Sequence, residues 1–417
     1  MRAGVDAVSA HRVLSRALAD PSIAEVLTSR PLHVVAVGKA AAAMAAAFAS
    51  LSHLSIRTAI AIGTHSHAAL PSSVEWIESG HPYPDARSEL AGNRAIAIAE
   101  GVHSGEALVI LLSGGASALM AAPISGLSLE DKIETTRVMM TAGADIHALN
   151  TVRRHLSKVK GGRLAASCVG TTITLAISDV VGDDLHAIGS GPGVPDRSTW
   201  SDVAAALDRF GGDRHGERVK ALVRDGLAGK VADTPKPGHA SLSRAQARVI
   251  GSRLDAMEGA RSAAAGLGYH PIVITEPVTG EARDAAPVWF ARARELAAKS
   301  GRPACVISSG ETTVRVTGTG KGGRNLEFAL ALAESIAGLP GMAMASIGTD
   351  GIDGSSGVAG GVVDSTTMRR AAAAALASPG EYLAANNSFA FFAPLGDVVR
   401  LGRTDTNVGD LQVLLID

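Results

Sequence analysis

The residues of this 417-residue chain that could do chemistry are cations and carboxylates set among glycines at the ends of apolar runs. Lys39 follows Gly38 after His33-Val34-Val35-Ala36-Val37. A lysine there is either solvated on a loop or, facing a cleft, aimed at a ligand. Leu111-Leu112-Ser113-Gly114-Gly115-Ala116-Ser117 places two glycines after another apolar run. Their backbone N–H groups could meet phosphate oxygens with no side chain in the way, and the same residues would equally make a tight strand–helix turn. Gly318-Thr319-Gly320-Lys321-Gly322-Gly323-Arg324-Asn325 is the densest glycine loop and opens into an apolar helix. Arg153, Arg154, Lys160 and Arg163 form a basic stretch that reads as an anion-binding region or as a solvated face. Phosphoryl transfer suits such a set, because that reaction is helped mainly by positioning and by cancelling charge on the phosphoryl oxygens.

Carboxylates are the complement. Ser178-Asp179-Val180-Val181-Gly182-Asp183-Asp184 leads into Gly189-Ser190-Gly191-Pro192-Gly193. Acids that close together repel unless a cation or a proton intervenes. Asp179 or Asp183 therefore reads as a metal ligand or a base, with capping of the next turn by Asp183 or Asp184 as the plainer role. Asp350 and Asp353 lie among the glycines of residues 348–354. They could take part in a magnesium site, through water because that ion keeps much of its hydration, or could simply close an acidic turn.

Two common signatures fail. A P-loop needs glycine five residues before the Gly-Lys pair and Ser or Thr after it, but Arg315 and Gly322 occupy those places. The first strand is not followed by G-x-G-x-x-G, which weakens a nicotinamide enzyme.

The elements that must position these residues follow from alternation. Short β-branched runs at residues 33–37, 58–62, 107–112 and 172–177 alternate with helical stretches at 40–51, 87–100, 129–142 and 151–166. That is the pattern of a doubly wound, mainly parallel sheet. Residues 200–246 turn more polar, and Thr234-Pro235-Lys236-Pro237-Gly238 discourages regular structure. A two-domain α/β chain is expected, with domains at 1–235 and 246–417. The second holds strands at 247–251, 271–275, 304–308 and 342–347, and helices at 253–267, 281–299 and 325–337. The run 411–416 is a last strand whose sheet is open, and the segment from about residue 385 could pack on the first domain.

Composition limits the function classes. Lys+Arg 39 against Asp+Glu 40 leaves no basic surplus for nucleic acid. Two distant cysteines, Cys168 and Cys305, make neither a disulfide framework nor a zinc knuckle, so a reducing cytoplasm is the expected location. No secretory leader and no membrane span are expected. The partners expected are small molecules, on a monomer or homodimer.

Taken together these segments resemble the class II glycerate kinases, whose C-terminal half is the MOFRL domain. The carriers are Val37-Gly38-Lys39-Ala40, Gly80-His81-Pro82-Tyr83-Pro84-Asp85, Ser113-Gly114-Gly115-Ala116-Ser117, and Gly143-Ala144-Asp145-Ile146-His147 running on to Asn150-Thr151-Val152-Arg153. They continue with Lys160-Gly161-Gly162-Arg163, Ser178-Asp179-Val180-Val181-Gly182-Asp183-Asp184, Gly322-Gly323-Arg324-Asn325-Leu326-Glu327-Phe328, Thr349-Asp350-Gly351-Ile352-Asp353-Gly354 and Thr406-Asn407-Val408-Gly409-Asp410-Leu411. The resemblance implies transfer of the ATP γ-phosphoryl to the 2-hydroxyl of D-glycerate, with Mg2+. It implies a cleft between a larger Rossmann-like domain and a smaller MOFRL domain, with Lys39 and Arg324 as the catalytic pair.

On that basis Ser113, Gly114, Gly115, Ser117, Gly191, Lys321, Gly322 and Gly323 are expected at the nucleotide. Arg153, Lys160, Arg163 and Asn407 are expected at the substrate, and Asp179, Asp183 and Asp350 at the metal. Three positions depart from the family pattern: Ala116 stands in the glycine run, Leu326 replaces a glutamine, and Thr404-Asp405 replaces Thr-Gly. Ala116 could narrow the approach of a phosphate, and Asp405 could alter the acceptor site. The alternatives are an NAD(P)H-dependent hydroxypyruvate reductase and a binding protein without catalysis.

Overall fold

The computed structural model describes residues 1–51, 53–64 and 69–417. The chain divides into two compact units, Val13–Ile250 and Met1–Arg12 with Gly251–Asp417.

The first unit carries six strands: β1 (Leu32–Val37), β2 (Ile56–Gly63), β3 (Val74–Glu78), β4 (Ala107–Leu112), β5 (Thr171–Ile177) and β6 (Ala245–Gly251). Their order is β3-β2-β1-β4-β5-β6, and β1 pairs in parallel with both β2 and β4. β4 is buried along its whole length, which is why it reads as an unbroken apolar run and not as an alternation. The order is that of a doubly wound Rossmann sheet. The chain winds outward from β1 in one direction and from β4 in the other, so the β1/β4 boundary is the switch point where such sheets bind ligands. Asp85 caps helix Ala86–Glu100 by accepting from Arg87 and Ser88 N–H, with Ser88 closing the box.

Residues 200–227 are less irregular than their polarity suggested. Helices Trp200–Arg209 and Glu217–Leu227 bury Trp200, Val203, Leu222 and Val223 against helices Leu129–Thr141 and Ile146–His155. The Pro235–Gly238 segment does lack regular structure, but it leads back into β6 of the first sheet. The expected boundary at 235–246 therefore moves to residues 250 and 251. Predicted helix 151–166 also divides: helix Ile146–His155 ends, Gly161 and Gly162 turn with φ of +56° and +80°, and only Arg163–Ala166 resumes.

The second unit holds β7 (His270–Glu281), β8 (Ala304–Thr313), β9 (Met342–Gly348), β10 (Gly360–Asp364), β11 (Val398–Val399) and β12 (Asp410–Ile416). The order is β11-β10-β9-β12-β8-β7, with β7 parallel to β8 and β12 antiparallel to both β8 and β9. The last strand thus lies in the middle of the second sheet, and the segment from residue 385 belongs to the second unit. Predicted helix 325–337 is two pieces, Arg324–Leu330 and Ala333–Ile336. Trp289, Phe328, Phe391 and Phe392 fill the core on one face of this sheet.

Candidate active site

In the first unit the turns after β1, β4 and β5 meet. Lys39 N–H donates to the Gly114 carbonyl at 2.8 Å, and Ala40 N–H to Ser113 Oγ at 3.1 Å. Gly38 has φ +128°, and a Cβ there would lie 2.1 Å from Ser113 Oγ and 2.5 Å from the Ser113 carbonyl oxygen. Only glycine lets these two turns lie in contact. A Cβ on Gly114 would fall 1.8 Å from Asp179 Oδ2, and one on Gly115 3.2 Å from the His81 ring and 3.5 Å from Lys39 Cγ. Lys39, Ser113, Gly114, Gly115 and Asp179 are therefore one group at the β1/β4 switch point. Burial and the Lys39 charge lower the pKa of His81.

Along the same turn Ser117 Oγ lies 3.0 Å from Ser190 Oγ, which donates to Asn150 Oδ1 at 3.0 Å. Lys160 Nζ donates to the carbonyls of Ser117 (2.8 Å) and Met120 (3.3 Å). Arg153, one helical turn after Asn150, lies within electrostatic reach of Lys160.

Three further expected residues of this unit have partners of their own. Arg163 Nη2 donates to the Ala232 carbonyl at 3.3 Å, on a pocket of about 660 Å³ that also holds Asp233 and Lys236. The Asp233 and Asp196 charges act on Arg163, and beside it His155 Nε2 meets Asp233 Oδ1 at 2.7 Å and Arg154 meets Asp196 at 3.2 Å. Gly191, at φ +66°, accepts from Gly162 N–H at 2.8 Å and closes a turn against Val194. Asp183 sits at φ +55° and donates its N–H to the Val180 carbonyl.

In the second unit the group is built on Arg324. Its Nε donates to Asp410 Oδ1 at 2.9 Å and its Nη1 to Glu311 Oε1 at 2.8 Å. Burial opposes the charge on Arg324, but Asp410 and Glu311 more than offset this and raise its pKa. Asp410 also accepts from Asn325 Nδ2 at 2.8 Å. Asp353 accepts from the N–H of Asn325 (3.0 Å) and of Leu326 (2.8 Å), capping helix Arg324–Leu330. Burial nonetheless pushes the Asp353 carboxyl up to about 7.

Gly323 belongs to this group, since a Cβ there would meet the Asp353 backbone at 2.5 Å. Gly322 pairs with Ser355, whose N–H donates to its carbonyl at 2.9 Å. Lys321 turns its ammonium over the Phe389 ring, 4.7 Å from the centroid. Asp350 Oδ1 accepts from Ile352 N–H at 3.0 Å, and Asn407 Oδ1 from Gly409 N–H at 3.3 Å, so both shape turns. Among the described residues no cluster of three or more His, Cys, Asp or Glu forms a metal cage.

Sequence reasoning missed His81, Lys132, Glu311 and Asp410 as functional candidates. His81 and Asp410 lie in the family-like segments 80–85 and 406–411, and Asp410 also follows a glycine just before an apolar strand.

Comparison with known proteins identifies the family. The family described as a domain of unknown function, DUF4147, matches residues 1–224, and the MOFRL family matches residues 304–410. The glycerate 2-kinase of Pyrococcus horikoshii is 36% identical, over 92% of this chain and 87% of that protein. A relative from Agrobacterium vitis, 37% identical over 98% of this chain and 95% of its own length, bears the provisional name hydroxypyruvate reductase. The crystal structure of glycerate kinase from Thermotoga maritima, 34% identical, superposes with a TM-score of 0.89 over 100% of this chain and 97% of that one. The fold and these relatives define a kinase-type α/β protein without a P-loop. The chain belongs to the DUF4147–MOFRL family that includes the glycerate 2-kinases. Among the described residues no helix is long and apolar enough to cross a membrane.

Proposed function

We propose that this chain transfers the γ-phosphoryl of ATP to the 2-hydroxyl of D-glycerate, giving 2-phosphoglycerate and ADP. The observation that carries this reading is Lys39 held against the Gly114–Gly115 turn at the switch point of a sheet that lacks the dinucleotide fingerprint. The acceptor oxygen attacks the γ-phosphorus, the bond to the β-phosphate oxygen breaks to release ADP, and the hydroxyl proton passes to Asp179 or to water. Asp179, against Gly114, is the carboxylate we assign to orient that hydroxyl or to hold one face of a hydrated magnesium ion arriving with the nucleotide. Lys39 and Arg324, one from each unit, are assigned to cancel charge on the transferring group. Arg153 and Lys160 are assigned to the substrate carboxylate. Two buried thiols, Cys168 and Cys305, are free, which suits a reducing cytoplasm.

The test is incubation with ATP, magnesium and D-glycerate, the product being identified by phosphorus NMR. Lys39→Met and Arg324→Ala should each lower kcat by about 10³-fold while the protein stays folded. Wild-type turnover in either variant would remove that residue from the mechanism. Loss of NADH absorbance with hydroxypyruvate would favour the reductase instead.

A further inference from the structure

The first unit contains a buried cation that the reading above does not use. Lys132 lies on helix Leu129–Thr141, is only 7% exposed, and its Nζ makes no hydrogen bond among the described residues. A lone ammonium in that position is costly, and proteins keep such groups where a ligand completes them. Its electrostatic neighbours are themselves cations. Burial first and the Arg153 charge second push the Lys132 pKa down to about 7, and burial with the Lys132 and Arg153 charges lowers that of Lys160. Among the described residues the acid acting on Lys132 is Glu89, and it makes no hydrogen bond to the Lys132 Nζ.

Its place is also informative. Lys160 Nζ holds the Ser117 carbonyl at 2.8 Å, two residues from Gly115, which faces Lys39. Asn150, on the Arg153 helix, is tied to the same turn through Ser190 and Ser117. The cluster therefore adjoins the turn that Lys39 packs on.

We infer that Lys132, with Arg153 and Lys160, forms the pocket for the carboxylate of the acceptor and makes Lys132 the residue that selects an acid over a neutral polyol. This rests on the kinase reading for its ligand, though not for the existence of an anion site. A carboxylate would supply the missing acceptor for the Lys132 N–H groups and hold the adjacent hydroxyl in a fixed relation to the Lys39 turn.

Calorimetric titration of the intact protein with D-glycerate, without nucleotide, tests this. Lys132→Met should raise the Kd for D-glycerate roughly 30-fold or more, as expected for removing one partner of a buried charge pair. It should also leave the melting temperature equal or higher, because an uncompensated buried charge has gone. An unchanged Kd in the folded variant overturns the inference, as does a lowered melting temperature with unchanged Kd, which marks a structural lysine. If Lys132→Met does not fold, Arg153→Gln, at a less buried position, should show the same loss of binding; unchanged binding there overturns the inference. Should wild type not bind D-glycerate, the acceptor assignment fails, and inorganic phosphate then probes the site by itself. Phosphate binding weakened by Lys132→Met sustains the anion site, and no binding to wild type overturns it.

Discussion

Arg324 Nε and Asp410 Oδ1 are 2.9 Å apart, and Asp410 is fully buried at the start of β12. Asp410 stands opposite Gly310 on β8 and Gly348 on β9, so the carboxylate that aims the arginine is set by the register of three strands. Glu311, by contrast, holds the other end of the guanidinium from a half-exposed position.

The two carboxylates should therefore separate by mutation. Asp410→Asn is expected to lower kcat by about tenfold or more and to cost about 2–3 kcal/mol of stability, since it breaks a largely buried pair. Glu311→Gln should cost under about 1 kcal/mol, as exposed pairs do, and should leave kcat equal or raised by freeing Nη1 for the phosphoryl group. Steady-state kinetics and urea unfolding measure both. A severe loss in Glu311→Gln with Asp410→Asn near wild type would reverse the assignment.

Gly38→Ala should be among the most damaging single changes. A Cβ at φ +128° would sit 2.5 Å from a Ser113 backbone oxygen that cannot move aside cheaply. A cost of about 3 kcal/mol or more is expected, with the Lys39 turn displaced in whatever fraction still folds. Near-normal urea unfolding and turnover would show that the two turns need not be in contact.

Asp353 gives the fold a pH dependence of unusual sign. Its carboxyl, pushed up to about 7 mainly by burial, keeps a proton that the unfolded chain releases near its ordinary value of 3.8. The native state binds more protons in that window, so stability falls as pH rises from about 4 to about 7, by up to about 1.4 kcal/mol per pH unit. Above about 7 this contribution is fully lost. Asp353→Asn should flatten the slope between pH 5 and 7 in denaturant titrations. An undiminished slope would move the proton to another group.

Two of the departures from the family pattern should leave chemistry untouched. Leu326 is fully buried and packs in the second unit's core, so Leu326→Gln should cost about 2–4 kcal/mol by burying an amide, with kcat unchanged in the folded fraction. Asp405 has φ +52°, a conformation that glycine favours and aspartate tolerates. Asp405→Gly should leave the KM for D-glycerate within about twofold and stability within about 1 kcal/mol. A large KM change would return Asp405 to the acceptor site.

Much of the first unit was legible. β-branched runs ending in glycine turns predict parallel strands with ligand loops, and Lys39, Ser113–Gly115 and Asp179 did come together at the turns after β1, β4 and β5. What could not be read was partnership between distant segments. β6 reads as a strand, but only tertiary pairing decides which sheet receives it. Val74–Glu78, with two glutamates in five residues, hides an edge strand. A buried lysine such as Lys132 looks in sequence like any lysine on an amphipathic helix, and Arg163 looks like Arg153 until the left-handed glycines at 161 and 162 turn it the other way.

The position of β12 also sets an order of events during synthesis. Val13–Ile250 is one continuous stretch and can acquire its structure as it leaves the ribosome. The other unit recruits Met1–Arg12 and seats residues 410–416 between β8 and β9, so its sheet cannot close until translation has passed Ile416. Until then the edges of β8 and β9 lack the strand that pairs with both.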